Sequence, residues 1–349
     1  MHLRSARRLT ALAATAAVTT GLAACATDSG SSTNASDAAG SDTAETITIN
    51  HALGTTEIKG TPKRVATVAW MNHEVPLALG VMPVGMSKAT WGDEDGDGMM
   101  PWVKDKVAEL GGDTPVLFDE TDALPFEQIA NTKPDVILAS YSGITKEDYE
   151  QLSKIAPTVA YPEQAWGTNM EQMIELNSKA IGKEKEGKKL LEDLNKQVKD
   201  AFDAHPEFKD KKVMMSGFAG DDKPNMIGFY TSHDSRAGFL ERAGFGVPDI
   251  VKKTSDKEKG FWAEISAENP DEFSDVDAIV AYGTGDKAKD EEILKGLQAD
   301  PLRGRIPAIR DGHVVFLGNG TLASGANPSP LSIPYNLKEY FDAIAQALK

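Results

Sequence analysis

The sequence predicts an α/β protein of two lobes, each a mostly parallel sheet flanked by helices, joined by one long interlobe helix. Three observations carry this. Short β-rich runs alternate with helical apolar periods over both ends of the chain, the pattern of parallel strands and crossover helices. The middle instead carries two consecutive amphipathic stripes with no strand between them. A length of 349 residues suits two cores of about 130–150 residues better than one.

In the first lobe, Ile47-Thr48-Ile49 alternates like a strand. Val65–Ala69 is a β-rich run leading into a helical stretch near Asn72. Val81–Met86 is a second apolar run. Leu124–Asn131 is helical, Val136–Ser140 a buried strand, 145–155 helical, and Pro157–Ala160 extended. Met170, Met173, Ile174, Asn177 and Ile181 form one helical stripe. Leu190, Leu191, Leu194, Val198 and Phe202 form the next, set against solvated Lys and Glu. The long helix is placed at 183–204, ended by His205-Pro206. Gly187 inside it costs about 1 kcal/mol.

In the second lobe, Val213–Ser216, Ala278–Ala281 and Val314–Leu317 are strands. Arg236–Gly244, Asp290–Leu297 and Leu331–Leu348 are helical. The predicted domains are 47–166, interlobe helices 167–206, and 207–349.

Ahead of them, Arg4, Arg7 and Arg8 precede an apolar stretch, Leu9–Leu22, too short to span a bilayer. Residues 1–24 are thus a leader. It ends at Leu22-Ala23-Ala24-Cys25, which resembles the bacterial lipobox and implies acylation of Cys25, the chain's only cysteine. Residues 25–46 hold almost no apolar bulk and are expected to be a disordered tether. The predicted location is the extracytoplasmic side of the cell membrane, anchored by lipid.

The formal charge is −16, and the leader carries three Arg and no acid. The mature chain is more acidic still, which argues against nucleic acid as a partner. The six His stand at no zinc-ligand spacing, and no metal site is expected. Asp93-Glu94-Asp95-Gly96-Asp97-Gly98 matches half of an EF-hand loop, but the twelfth position is Lys104 instead of Glu. The flanking Trp91 and Pro101-Trp102 do not read as paired helices. His233-Asp234-Ser235 cannot form a triad from sequence neighbours, and no G-x-S-x-G elbow exists. Gly283-Thr284-Gly285-Asp286 lacks the rest of a phosphate-binding fingerprint.

Four segments carry a resemblance. They are Gly60–Val65; Phe126–Ala130 with Lys133–Leu138; Ile265–Glu268 with Asp277–Val280; and Asp300-Pro301-Leu302 with Ile306–Ile309 and Asp311–Val314. In this order they are similar to the substrate-binding proteins of siderophore, haem and cobalamin importers, whose lobes are joined by one long helix. The resemblance covers residues 47–349. It implies a non-enzymatic protein that captures a ferric siderophore and delivers it to an ATP-driven importer. It also implies permease docking by one acid per lobe, here Glu127 and Glu268, each at the start of a predicted helix.

In such binders the ligand lies beyond the strand ends, between the lobes. The candidate ligand residues there are Trp70, Trp91, Tyr141, Trp166, Phe218, Tyr230, Arg236 and Trp262. Aromatic rings suit a bulky, partly apolar chelate. Arg236 can fork onto chelate oxygens or pair with Asp234 or Glu241. Val65–Ala160 holds six Lys and no Arg, which tilts the expected ligand toward a hydroxamate chelate over a trianionic catecholate. No cofactor is expected, iron being bound only through the siderophore, and the protein is expected to be a monomer. The alternatives are a haem or cobalamin binder, a lipid-tethered hydrolase, and an adhesion or sensor domain without an aromatic cleft.

Overall fold

The computed structural model describes residues 45–218 and 223–349. The leader, Cys25 and residues 26–44 of the tether lie outside the described residues. β1 (Thr46–His51) and β2 (Gly54–Lys59) form an antiparallel hairpin. The first lobe follows with β3 (Val65–Thr67), α1 (Glu74–Ala78), β4 (Gly85–Ser87), α2 (Pro101–Leu110), β5 (Val116–Phe118), α3 (Phe126–Asn131), β6 (Val136–Leu138), α4 (Lys146–Ile155) and β7 (Thr158–Val159). α5 (Met170–Ala180) and α6 (Glu184–Asp203) connect the lobes. The second lobe holds β8 (Val213–Ser216), β9 (Met226–Tyr230), α7 (Ser235–Ala243), α8 (Asp249–Ser255), β10 (Trp262–Ser266), β11 (Ala278–Ala281), α9 (Lys287–Ala299), α10 (Pro307–Arg310), β12 (Val314–Phe316), α11 (Thr321–Gly325) and α12 (Ser332–Ala347).

The first sheet runs β5-β4-β3-β6-β7, every pair parallel. Its central strands, Val65-Ala66-Thr67 and Val136-Ile137-Leu138, are buried on both faces, as helix-covered parallel strands must be. The second sheet runs β10-β9-β8-β11-β12. β8, β11 and β12 are parallel, whereas β9 runs against β8 and β10 against β9. For β9 the physical reason is connection length: residues 217–225 are too few for the crossover that a parallel partner would need, whereas β10, reached through α7 and α8, runs in the direction of β8 and so against β9.

Local chemistry sets the helix ends. Thr145 and Asp148 form a capping box on α4, and Asn169 and Gln172 form another on α5. α6 carries Leu194 and Val198 inward, with Lys188–Glu184 at 2.7 Å and Lys189–Asp193 at 2.8 Å on its wet face. It stops because His205 precedes Pro206 and leaves the helical region (φ −116°, ψ 79°). Gly187 has a packing reason. A Cβ there would lie 2.1 Å from Ser178 Oγ, so glycine lets α5 and α6 approach. The far end of α6 is anchored in an aromatic cluster. Phe202 and Phe208 lie 5.0 Å and 4.7 Å from Phe245, and Phe208 lies 5.6 Å from Phe341.

Two sequence expectations need correction. A helix, α2, does follow the Asp-rich loop, because Pro101 is well placed in a first helical turn. Glu268 does not open a helix; it sits in a turn between β10 and the 3-10 turn Pro270–Phe273.

Candidate ligand cleft

The first wall of the cleft rises from the ends of β3 and β6. Asn72 is fully buried and ties them together. Its Nδ2 donates to the carbonyls of Val68 and Tyr141, both at 2.9 Å, and its Oδ1 accepts from Tyr141 N–H and Ser140 Oγ–H. Asn177 on α5 donates to the same oxygen at 3.1 Å. On this base the chain takes left-handed turns at Ala69 (φ 59°) and Met71 (φ 61°), which non-glycine residues adopt at a cost. Those turns set Trp70 between them. Trp166 (φ 60°) and, away from the cleft, Phe218 (φ 51°) are strained in the same way.

Tyr141 meets Trp166 edge to face at 5.5 Å. Gly143 is required there, since a Cβ would lie 2.2 Å from the Trp166 indole nitrogen. A cavity of about 520 Å³ opens beside them, lined by Trp70, Lys88, Glu120, Leu124, Ile144 and Trp166 among others. That volume suits a small-molecule ligand. Glu120 accepts the Ala69 N–H at 2.8 Å, and burial pushes its carboxyl up to about 7.

The second wall is a connected aromatic set. Tyr230 and Trp262 are register partners across β9 and β10, with rings 5.0 Å apart. The Arg236 guanidinium lies 4.0 Å from the Tyr230 ring centroid. Its Nε and Nη2 fork onto Asp234 at 2.8 and 2.7 Å, and its Nη1 donates to Tyr282 Oη at 3.1 Å. The salt bridge to Asp234 is thus the pairing this structure contains. Burial opposes the Arg236 charge most strongly, but the Asp234 hydrogen bonds and charge, with Tyr282 and Tyr230 beside it, together outweigh burial and keep the guanidinium protonated. Burial pushes the Tyr230 phenol up to about 12. Around Tyr230 the wall therefore pairs the Arg236 cation with the Asp234 carboxylate and adds neutral phenols, while Trp262 stands beside the Lys223–Glu264 pair.

The walls meet at several points. Trp91 touches Tyr282 edge to face at 5.5 Å. Asn327 Nδ2 donates to Tyr141 Oη at 3.0 Å. Phe218 stands apart, its ring 6.3 Å from Phe316 in the second core. Glu127 lies exposed in the first turn of α3, and Glu268 is exposed in its turn. The oxygens of Asp93, Asp95 and Asp97 come within 4.8 Å of one another, with the Lys104 ammonium bonded to Asp95 at 2.6 Å and also to Asp97.

Tyr282, Glu120 and Asn327 escaped the sequence reading. Tyr282 directly follows β11 and could have been found by the strand-end rule that found Trp70. Glu120 follows β5, an edge strand with only Phe118 buried.

The sequence profile described as "Periplasmic binding protein" matches residues 65–321. The chain is 30% identical over 253 residues to the probable siderophore-binding lipoprotein YfiY of Bacillus subtilis, covering 71% of this chain and 72% of that one. It is similar to PiaA of Streptococcus pneumoniae TIGR4 in complex with ferrichrome, at 43% identity and TM-score 0.80, over 86% of this chain and 98% of that one. It is also similar to Staphylococcus aureus SirA complexed with staphyloferrin B, at 25% identity and TM-score 0.63, over 86% and 99% of the two chains. With two α/β lobes and a profile match across most of both, the chain belongs to the periplasmic binding protein family.

Proposed function

We propose that this protein binds a ferric siderophore between its lobes and delivers it to the permease of an ATP-driven importer. The observation that carries this is the aromatic second wall, in which Tyr230 and Tyr282 contact an arginine already matched by Asp234 and Trp262 packs on Tyr230. Rings bury a large chelate at low entropic cost. The matched charge favours a neutral chelate of the hydroxamate class, because the Arg236 cation that a trianionic catecholate would need is already held by Asp234. The ferrichrome complex of the similar PiaA supports the same class. Iron reaches the protein only inside the chelate. Membership of a binding-protein family supports binding without catalysis. Both walls come from one chain, so a monomer suffices. Tethering outside the membrane through Cys25 is supported by lipoprotein relatives.

The test is tryptophan fluorescence of the leader-free protein, titrated with ferrioxamine, ferrichrome, ferric enterobactin, haem and cobalamin. Saturable quenching by a ferric hydroxamate, with no response to the iron-free form, is the expected result. Saturation by haem or cobalamin alone would move the protein to that ligand class. Silence across the panel from folded protein would reject the siderophore reading.

A further inference from the structure

The Asp-rich loop between β4 and α2 is built as a stiff strap. Its base is closed by the Ala89 N–H to Gly98 carbonyl bond at 2.8 Å. Inside, the Asp93 carboxylate accepts the N–H groups of Gly96 (3.0 Å) and Gly98 (2.6 Å), and Asp97 accepts that of Met99 at 2.9 Å. Lys104, from α2, places its ammonium on Asp95 and Asp97 and supplies the positive charge that this carboxylate cluster needs. Gly92, Gly96 and Gly98 take positive φ, which the tight path requires.

The tip of the strap reaches the other lobe. Glu94 Oε1 accepts the Thr321 N–H at 2.9 Å. The fit is close on both sides. A Cβ on Gly320 would lie 2.2 Å from Glu94 Oε1, and one on Gly92 would lie 2.2 Å from Ser324 Oγ. Trp91, one residue before Gly92, lies against Tyr282. The strap thus crosses from the first lobe to α11 and carries an indole to the second wall of the cleft.

We propose that Glu94 is a positioning residue that pins this strap to α11 and so keeps Trp91 seated on Tyr282. The proposal rests on the cleft being the ligand site. Glu94 touches no ligand; it acts through Trp91 and through the separation of the lobes. The lysine lock makes the strap move as a unit, so breaking the Glu94 contact frees the tip without unravelling the loop. Release of a bound chelate is then limited by lifting the strap.

Three variants test this. Glu94→Ala removes the acceptor. Thr321→Pro removes the donor at a first helical position, where proline is tolerated. Glu94→Gln keeps an acceptor oxygen. Two measurements are made on the leader-free protein. Amide hydrogen exchange reads Thr321 without ligand: protection is expected in wild type and Glu94→Gln, with loss in Glu94→Ala. Stopped-flow fluorescence reads ferrichrome release. Glu94→Ala and Thr321→Pro are each expected to speed release about fivefold, with association unchanged and the double variant no faster than either single. A Thr321 amide that exchanges freely in wild type overturns the proposal. So do unchanged release rates, or rates that multiply in the double variant. If wild type binds no chelate, the ligand reading falls, while amide exchange still decides the strap.

Discussion

Glu74 on α1 accepts the main-chain N–H of Leu331 at 3.0 Å, joining the two lobes through a carboxylate with no exposed surface. The Trp102 indole N–H donates to its other oxygen at 2.8 Å, and the Ser329 hydroxyl donates as well. Ser329 Oγ in turn accepts the Ser332 N–H at 3.0 Å. Glu74 is thus an interlobe clasp, and with Tyr141 and Glu94 it bonds one stretch of the second lobe, residues 321–331.

Stability should depend on the protonation of Glu74. Burial pushes its carboxyl from 4.5 up to about 7, against the pull of its donors. The folded chain therefore holds the proton more tightly than the unfolded chain. The stability this gives is full below pH 4.5 and is lost as pH rises through 7. Urea unfolding should show wild type weaker at pH 8 than at pH 4.5, with at most about 3 kcal/mol from this group. Glu120 contributes in the same direction, so the comparison with Glu74→Gln isolates the clasp. The variant should lose part of the slope; an identical slope would remove Glu74 as its source.

Gly187→Ala should destabilise the connector even though alanine favours helix. The added Cβ meets Ser178 Oγ at 2.1 Å and Ser178 Cβ at 2.5 Å. The expected cost is about 1–3 kcal/mol in thermal or urea unfolding. Adding Ser178→Gly should recover part of it, because the collision is with that side chain. Recovery that fails would point to strain elsewhere along α5 and α6.

Trp262→Ala should weaken ferric chelate binding about tenfold or more while leaving the fold intact. Its ring packs on Tyr230 at the cleft wall, and the side chain is only half-buried. Titration calorimetry gives the affinity and circular dichroism the fold. Unchanged affinity would place the chelate elsewhere in the cleft.

Charge reversal at Glu127 and Glu268 should abolish iron uptake in cells while chelate affinity stays at the wild-type level. Both carboxylates are exposed, one on each lobe, where a permease can reach them. Wild-type uptake by the double variant would reject the docking assignment.

Long helical stripes and apolar runs buried on both faces were legible in the sequence. The α6 stripe, the buried runs of β3, β6 and β11, and α12 all appear where the pattern places them. The edges of the sheets were not. β5 is an edge strand with only Phe118 buried, and β9 is turned antiparallel by its short connection from β8, not by pattern. Of the cleft, the aromatic residues at strand ends could be named from position alone. The partners that set its electrostatics could not, because Asp234, Tyr282 and Glu120 gain their roles only from tertiary neighbours.

The central claim is that the cleft takes a neutral ferric hydroxamate. Titration calorimetry of the leader-free protein with ferrichrome and with ferric enterobactin tests it most directly. One-site binding of ferrichrome at least a hundredfold tighter than the catecholate is the predicted result. Equal or tighter binding of ferric enterobactin would contradict the charge argument, and no heat from either would contradict the siderophore function itself.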